Sequence, residues 1–355
     1  MGLIGERPIP PAPWQPCAVS LSVSKASDMS AIEILDLTKD YAVGFFRKRL
    51  RRALDGLSLH VEVGEVFGLL GPNGAGKSTT LKLLLRLIFP TSGTARLLGR
   101  ELGDVSMHAR VGYLPENPYF YDHLTTREFL NYVGELFGLA SAQRYRRVGQ
   151  LLDRLGLADS CDIPLRKFSK GMVQRVGIAQ ALMNDPELIF LDEPMSGLDP
   201  LGRREVRDLI LELKAAGKTV FFSTHILSDA EMLCDRVAIL NRGRLHGRGE
   251  LREILSLGVS ATEVVLENPA PELLTELQPY SRAAVRTGNR VRVEIAEEAA
   301  LAKVLDMILR RGAQVVSLNP VKMSLEDYFL AQMGDGAGRP PAEAKRQVQG
   351  EEVRK

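Results

Sequence analysis

The chain has 355 residues, 45% of them hydrophobic and 25% charged, the make-up of a globular protein with room for one large domain and a smaller one. Its formal charge of +2 is too near neutral to point to a nucleic-acid partner, and none is expected. Cys17, Cys161 and Cys234 are odd in number and widely spaced, which argues for reduced thiols over a disulfide frame or a zinc site. No uninterrupted apolar stretch approaches the roughly 18–20 residues of a membrane helix, so a membrane role has to come through a partner.

Residues 1–30 are broken by Pro8, Pro10, Pro11, Pro13 and Pro16, and no apolar segment follows a basic start. They read as a disordered extension and not a signal peptide, with Met29 as the expected start. Residues 32–37 alternate as a half-buried strand, followed by Tyr41 and a basic run, Arg47, Lys48, Arg49, Arg51 and Arg52, which suits a solvated hairpin tip. Residues 57–63 form a second alternating strand. Val66–Leu70 is a continuous apolar run, as in a strand buried on both faces, and residues 80–88 carry a helical stripe of Leu81, Leu84, Leu85 and Ile88.

A turn at 90–93 precedes strands at 94–98 and Val111–Leu114. From 125 to 155 the pattern is helical, opened by Thr125 and Glu128 as a capping box and stopped at Gly138 and Gly156. Residues 169–184 read as another helix and 188–191 as a buried strand. Asp199 then caps a helix with Pro200 at its first position, running to residue 216. Strands at 219–223 and 236–240 close this unit, and alternating strands and helices argue for an α/β core. Beyond 249, strands at 262–266, 291–295 and 315–318 and a helix at 298–311 suggest a small α/β appendage ending near 332, with a disordered tail at 333–355.

The chemistry centres on Gly71-Pro72-Asn73-Gly74-Ala75-Gly76-Lys77-Ser78-Thr79, which joins a buried strand to a helix N-terminus. Free backbone N–H groups and the positive dipole end cradle phosphate there; Lys77 is expected to reach the β- and γ-phosphates and Ser78 to put its hydroxyl on Mg²⁺. The strand 188–191 ends in Asp192 and Glu193. Asp192 is placed to sit beside the Mg²⁺ shell and Glu193 to orient the attacking water, so the protein works by positioning and charge neutralisation.

Over roughly residues 31–248 the chain resembles the nucleotide-binding subunits of ABC transporters. Tyr41 stands where that family stacks an aromatic on adenine, and residues 71–79 match the Walker A loop. Glu116 takes the place of the Q-loop glutamine, and Ser169-Lys170-Gly171-Met172 stands for the signature sequence. Asp192 and Glu193 end the Walker B strand, Ser196 to Asp199 match the D-loop, and His225 matches the switch histidine. The resemblance implies an ABC ATPase core of the P-loop NTPase type, with an antiparallel β subdomain and a helical subdomain at about 116–184. It implies ATP and Mg²⁺ as cofactors, with Ser78, Glu116 and Asp192 near the metal and Glu193, His225 and Lys77 in catalysis. Ser169 and Gly171 would cap the triphosphate of a second subunit, in a homodimer or with a paired ATPase.

The sequence departs from the family pattern at Lys170 and Met172 in the signature, at Glu116, and at Met195, where Thr is commoner. The first two departures recur in exporter ATPases that serve a separate ABC-2 type permease, at the cytoplasmic face of the cell membrane. Tyr119, Phe120 and Tyr121 would floor the groove that receives a permease helix. Importer ATPases, whose C-terminal extension is usually longer, and non-transport members in translation or DNA repair fit less well. Translation factors carry two nucleotide domains and repair members a long coiled coil, and neither is present here.

Overall fold

The computed structural model describes residues 30–44, 49–256, 259–295, 298–322 and 324–333. The Pro-rich start, Met29, Arg47, Lys48 and the expected tail from 334 onward lie outside the described residues. Contacts divide the chain into two units between Gly249 and Glu250.

The first unit opens with β1 (Ser30–Val43) and β2 (Arg49–Glu62), a long antiparallel hairpin in which Val43 faces Arg49 and Tyr41 faces Arg51. The wholly buried β3 (Val66–Leu70) leads through the glycine-rich loop into α1 (Lys77–Leu84). β4 (Ser92–Leu97) and β5 (Arg100–Glu101) complete a sheet in the order β2-β1-β4-β5. After β6 (Val111–Leu114) the chain makes a helical excursion through α2 (Thr126–Leu136), α3 (Ser141–Arg154) and α4 (Lys170–Ala181). It returns as β7 (Leu188–Asp192), α5 (Pro200–Ala215), β8 (Thr219–Thr224), α6 (Leu227–Leu233), β9 (Arg236–Asn241) and β10 (Arg244–Glu250).

The second sheet runs β10-β9-β3-β8-β7-β6, and β6, β7, β8, β3 and β9 pair in parallel. Every residue of β3, β7 and β8 is buried, as expected of strands covered on both faces. Phe67 stacks on Phe221 at 5.5 Å and Phe190 meets the same ring edge-on at 5.6 Å, which locks the three strands side by side. The parallel order brings the C-terminal ends of β3, β7 and β8 together, and the site is built there.

Several boundaries differ from the sequence reading. The helix after the loop starts at Lys77 and stops at Leu84, because Arg86 takes a left-handed φ of 55° and turns the chain out. The helix expected at 169–184 is capped by Leu182. The second strand reaches back to Arg49 because hairpin pairing, not alternation, sets its length. The polar β10 has no apolar alternation to betray it. The Thr125–Glu128 capping box forms with both reciprocal hydrogen bonds, and Asp199 caps α5.

The second unit consists of α7 (Leu251–Ser256), β11 (Val259–Glu267), α8 (Pro271–Leu277), β12 (Ser281–Thr287), β13 (Arg290–Ile295), α9 (Glu298–Arg310), β14 (Gln314–Lys322) and α10 (Leu325–Met333). Its antiparallel sheet runs β12-β13-β11-β14. With one helix in each crossover, this is the split β-α-β arrangement of ferredoxin-like folds. Val264, Leu266, Val291 and Val293 from the sheet and Leu273, Val304 and Ile308 from α8 and α9 make its core.

Candidate nucleotide-binding site

The loop between β3 and α1 is pinned by its surroundings. A Cβ on Gly71 would lie 2.2 Å from the Leu240 carbonyl oxygen, so nothing larger than glycine passes under β9. Gly76 has a φ of 114°, and a Cβ there would meet the Ala53 carbonyl at 2.7 Å. The turn after β9 fastens the loop to β2: Gly243 N–H donates to the Ala75 carbonyl (2.8 Å), and Asp55 N–H donates to the Gly243 carbonyl (2.9 Å). No side chain caps α1, so its first N–H groups and positive dipole end are available to an anion.

These elements border a groove of about 820 Å³ lined by Tyr41, residues 73–79, Glu116 and Glu193 among the sequence-predicted positions. Arg51, Arg52 and Arg242 line it too, and sequence reasoning did not single out their role. Arg51 could have been found by pairing it with Tyr41 across the hairpin. Arg52 is held by Asp40 and Asp55 at 2.9 and 2.8 Å, whereas Arg51 and Arg242 have no carboxylate partner among the described residues.

Parallel register sets Asp192, at the end of β7, opposite Ser223 of β8. The Ser223 hydroxyl donates to Asp192 Oδ1 at 2.5 Å, and the Ser78 hydroxyl donates to the same oxygen at 3.2 Å. Ser223 also fixes the next residue, since Glu193 N–H donates to the Ser223 carbonyl (3.1 Å) and hydroxyl (3.2 Å). That hold matters, because Glu193 has a φ of 50°, a left-handed conformation that costs a non-glycine residue ~1–2 kcal/mol. Ser223 is the main site residue that sequence reasoning missed. Its signal was its place two residues before His225 on a buried strand.

Glu193 bridges two cations or potential cations. Its Oε1 lies 3.2 Å from Lys77 Nζ, and its Oε2 lies 2.9 Å from His225 Nδ1. Lys77 and Glu193 are both buried, so removal of either leaves an uncompensated charge. Lys77 Nζ also donates to the Gly71 carbonyl at 2.7 Å, which aims the ammonium along the loop. Tyr113, half-buried, has its hydroxyl pushed up to about 12 by burial and then by the charges of Asp192 and Glu116. It stays neutral near pH 7.

Of the sequence-predicted positions, Gly71, Pro72, Ser169, Gly171, Asp192, Asp199 and His225 do not line this groove. Ser169 caps α4, accepting from Met172 N–H at 3.3 Å, and Asp199 accepts from Gly202 N–H at 2.9 Å. One side chain of α4 nevertheless holds the segment after Glu193, and a second lies beside it. Gln174 Nε2 donates to the Pro194 carbonyl at 3.0 Å, and Lys170 runs beside Gly197, where a Cβ would lie 2.5 Å from its Nζ. The departure at Lys170 thus lies alongside the D-loop, with its side chain exposed.

The donor set fits magnesium. Ser78 and Asp192 present oxygens at the loop, Glu116 stands on the groove wall, and among the described residues no cluster of three or more His, Cys, Asp or Glu could hold a metal alone. A hard cation that keeps waters and takes phosphate oxygens needs only one or two carboxylates.

A buried strand, a glycine-rich loop on a helix N-terminus and paired carboxylates at the end of β7, two places away in the same parallel sheet, define a P-loop nucleotide-binding protein. Comparisons carry this further. The profile of the ABC transporter family matches residues 54–196. An uncharacterized ABC transporter ATP-binding protein of Synechocystis sp. is 47% identical over 308 residues, 86% of this chain and 85% of that protein. The bacitracin transport ATP-binding protein BcrA of Bacillus licheniformis is 35% identical over 317 residues, covering 86% and 98%. The Nod factor export ATP-binding protein I of Cupriavidus metallidurans is 36% identical over 285 residues, covering 79% and 92%. Among solved structures, an ATP-binding subunit of an ABC transporter aligns with a TM-score of 0.57 at 35% identity, over 64% of this chain and 92% of that one. The ATP-binding cassette MJ0796, described as a post-hydrolysis dimer bound to ADP and Pi, aligns at 0.58 and 26% identity, over 62% and 99%. The chain belongs to the ATP-binding subunits of ABC transporters.

Proposed function

We propose that this chain hydrolyses Mg-ATP to drive an ABC exporter, closing as a dimer on a separate ABC-2 type permease at the cytoplasmic membrane face. The observation that carries the reading is Glu193, buried, wedged between Lys77 and His225, beside an Asp192 already bridged to Ser78. Lys77 and the α1 N-terminus bind the triphosphate, and Tyr41 stacks on adenine. Magnesium, held by Ser78 and Asp192 with Glu116 nearby, supplies charge neutralisation on the phosphates when bound. Glu193 orients a water in line with the γ-phosphorus and takes up its proton, and His225 fixes the carboxylate and contacts the γ-phosphate. The bond to the departing ADP oxygen breaks as the new P–O bond forms. Ser169 and Gly171, outside the groove of their own chain, suit the triphosphate of another copy.

Glu193→Gln, by removing the proton acceptor while keeping the shape, is expected to lower turnover about 10²- to 10⁴-fold. It should also hold the chain as a dimer with ATP on size-exclusion chromatography. A variant that stays monomeric with Mg-ATP defeats the dimer reading.

Export is supported by the names of the Nod factor and bacitracin relatives. No helix among the described residues is long and apolar enough to cross a membrane. The expected aromatic floor is divided in the structure. Phe120 is 9% exposed and packs on Phe129 at 4.7 Å, so it belongs to the helical core, while Tyr119 is 93% and Tyr121 56% exposed. Tyr119 is therefore the residue to test: Tyr119→Asp should weaken permease pull-down about tenfold, as an interface anchor does, with the ATPase of the free chain unchanged.

A further inference from the structure

The left-handed Glu193 is held on its N-terminal side by Ser223, whose carbonyl and hydroxyl both accept its N–H. One residue on, the Pro194 carbonyl accepts from Gln174 Nε2 at 3.0 Å. A proline backbone offers only that oxygen, so the side-chain amide has to turn its NH2 towards it. Gln174 is 2% exposed and Pro194 is buried, so water does not readily replace the bond. Peptide planes are rigid and the proline ring fixes φ of Pro194. The soft rotations left between the two holds are φ and ψ of Glu193 and ψ of Pro194. The position of Gln174 therefore sets the backbone of Glu193, and with it the direction of the carboxylate.

Gln174 belongs to α4, the helix capped by Ser169. The Val173 N–H donates to the Ser169 carbonyl at 3.0 Å and the Met172 N–H to its hydroxyl at 3.3 Å, so the first turn is tied to the cap. Gly171, Gln174 and Gly177 follow one another along one side of the helix. A Cβ on Gly171 would lie 3.5 Å from Leu198, and one on Gly177 would meet Leu114 at 2.6 Å and Pro118 at 3.4 Å, on either side of Glu116 in the chain. A single helix thus lies against the segment after Glu193 and the segment around Glu116, and carries Ser169 and Gly171 at its start.

We propose that Gln174 is a positioning residue that makes the Glu193 carboxylate answer to the Ser169 end of α4. A triphosphate of a second copy, held by Ser169 and Gly171, fixes α4 and through Gln174 and Pro194 places Glu193 over the nucleotide of its own chain. The two sites of the dimer are then linked by a hydrogen bond within each subunit. This rests on the reading in which Ser169 and Gly171 cap the triphosphate of another copy.

The test measures Mg-ATP turnover by the full-length chain, as wild type, Gln174→Met, Gln174→Asn, Gln174→Glu, Ser169→Ala and the Ser169→Ala/Gln174→Met double variant. Gln174→Met keeps the length of the side chain and removes the donor. It should lower kcat about three- to tenfold with KM for ATP within about twofold, because Lys77 and the α1 N-terminus are untouched. Gln174→Asn, a methylene short of Pro194, should behave alike, and takes the place of Gln174→Met in the double variant should that chain not fold. Gln174→Glu restores a donor: burial keeps a carboxylic acid protonated there, and its O–H can reach the same carbonyl. At about pH 6.5 it should turn over at no less than about half the wild-type rate. The double variant should lose no more than Ser169→Ala alone, since both changes cut one path.

Wild-type kcat in Gln174→Met and Gln174→Asn, a loss confined to KM, a Gln174→Glu chain no faster than these two, or losses that multiply in the double variant each overturn the proposal. Turnover untouched by Ser169→Ala overturns the dimer reading instead.

Discussion

The two units solve the burial of charge in opposite ways. The first keeps Lys77, Asp192, Glu193 and Asp229 inside, at the ends of parallel strands and in the helix turn beyond them. The second, among its described residues, buries only Thr262 among polar side chains. Its charges stay at the surface, some of them paired across strands as Arg292 with Glu263 (3.1 Å) and Arg290 with Glu267 (3.8 Å). Buried charge is unfavourable unless it is paired or used, so its concentration in one unit marks where the chemistry is. The second unit has a well-formed apolar core of its own.

The contrast can be broken in either half. The largest expected effect is Ile308→Ala, which removes a fully buried side chain from the second core and should destabilise that unit by about 2–5 kcal/mol in urea unfolding. ATPase turnover per folded chain should be unchanged; a matching fall in kcat would show that the second unit shapes the site. Ser223→Ala comes next. It strips one hydrogen bond from Asp192 and one from the Glu193 backbone, each to a buried group. Loss of about 1.5–3 kcal/mol of charge-assisted bonding corresponds to turnover down roughly ten- to hundredfold. Near-normal turnover would mean that the register of β7 and β8 alone holds both carboxylates. The smallest effect is expected of Arg292→Ala. Arg292 is 59% exposed, and a solvent-screened pair is worth under about 1 kcal/mol. A larger loss would mean that this face of the second sheet carries more than solvated charge.

Much of the first unit was legible because its signals are local. The apolar runs of β3, β7 and β8, the loop glycines, the capping box at Thr125 and the Asp199–Pro200 start each depend on neighbours within a few residues. Element ends were less legible. The hairpin partner extended β2, and the left-handed Arg86 cut α1 short, neither of which alternation records. In the second unit α8, β12 and α10 went unread, since they are short and the exposed β12 shows no apolar alternation.

The sequence by itself determined that a phosphate-binding loop sits on a helix N-terminus, that two carboxylates follow a buried strand, and that a histidine closes another. Those are properties of spacing and hydropathy along one stretch of chain. Only the tertiary structure decided that Ser223 serves both Asp192 and Glu193, that Phe120 is core while Tyr119 is surface, and that Asp229 is buried with its Oδ2 lacking a hydrogen-bond partner. The reason is that parallel strands from distant parts of the chain meet side by side. Which atoms then share a hydrogen, and which are left without one, is settled by register and packing and not by any local pattern.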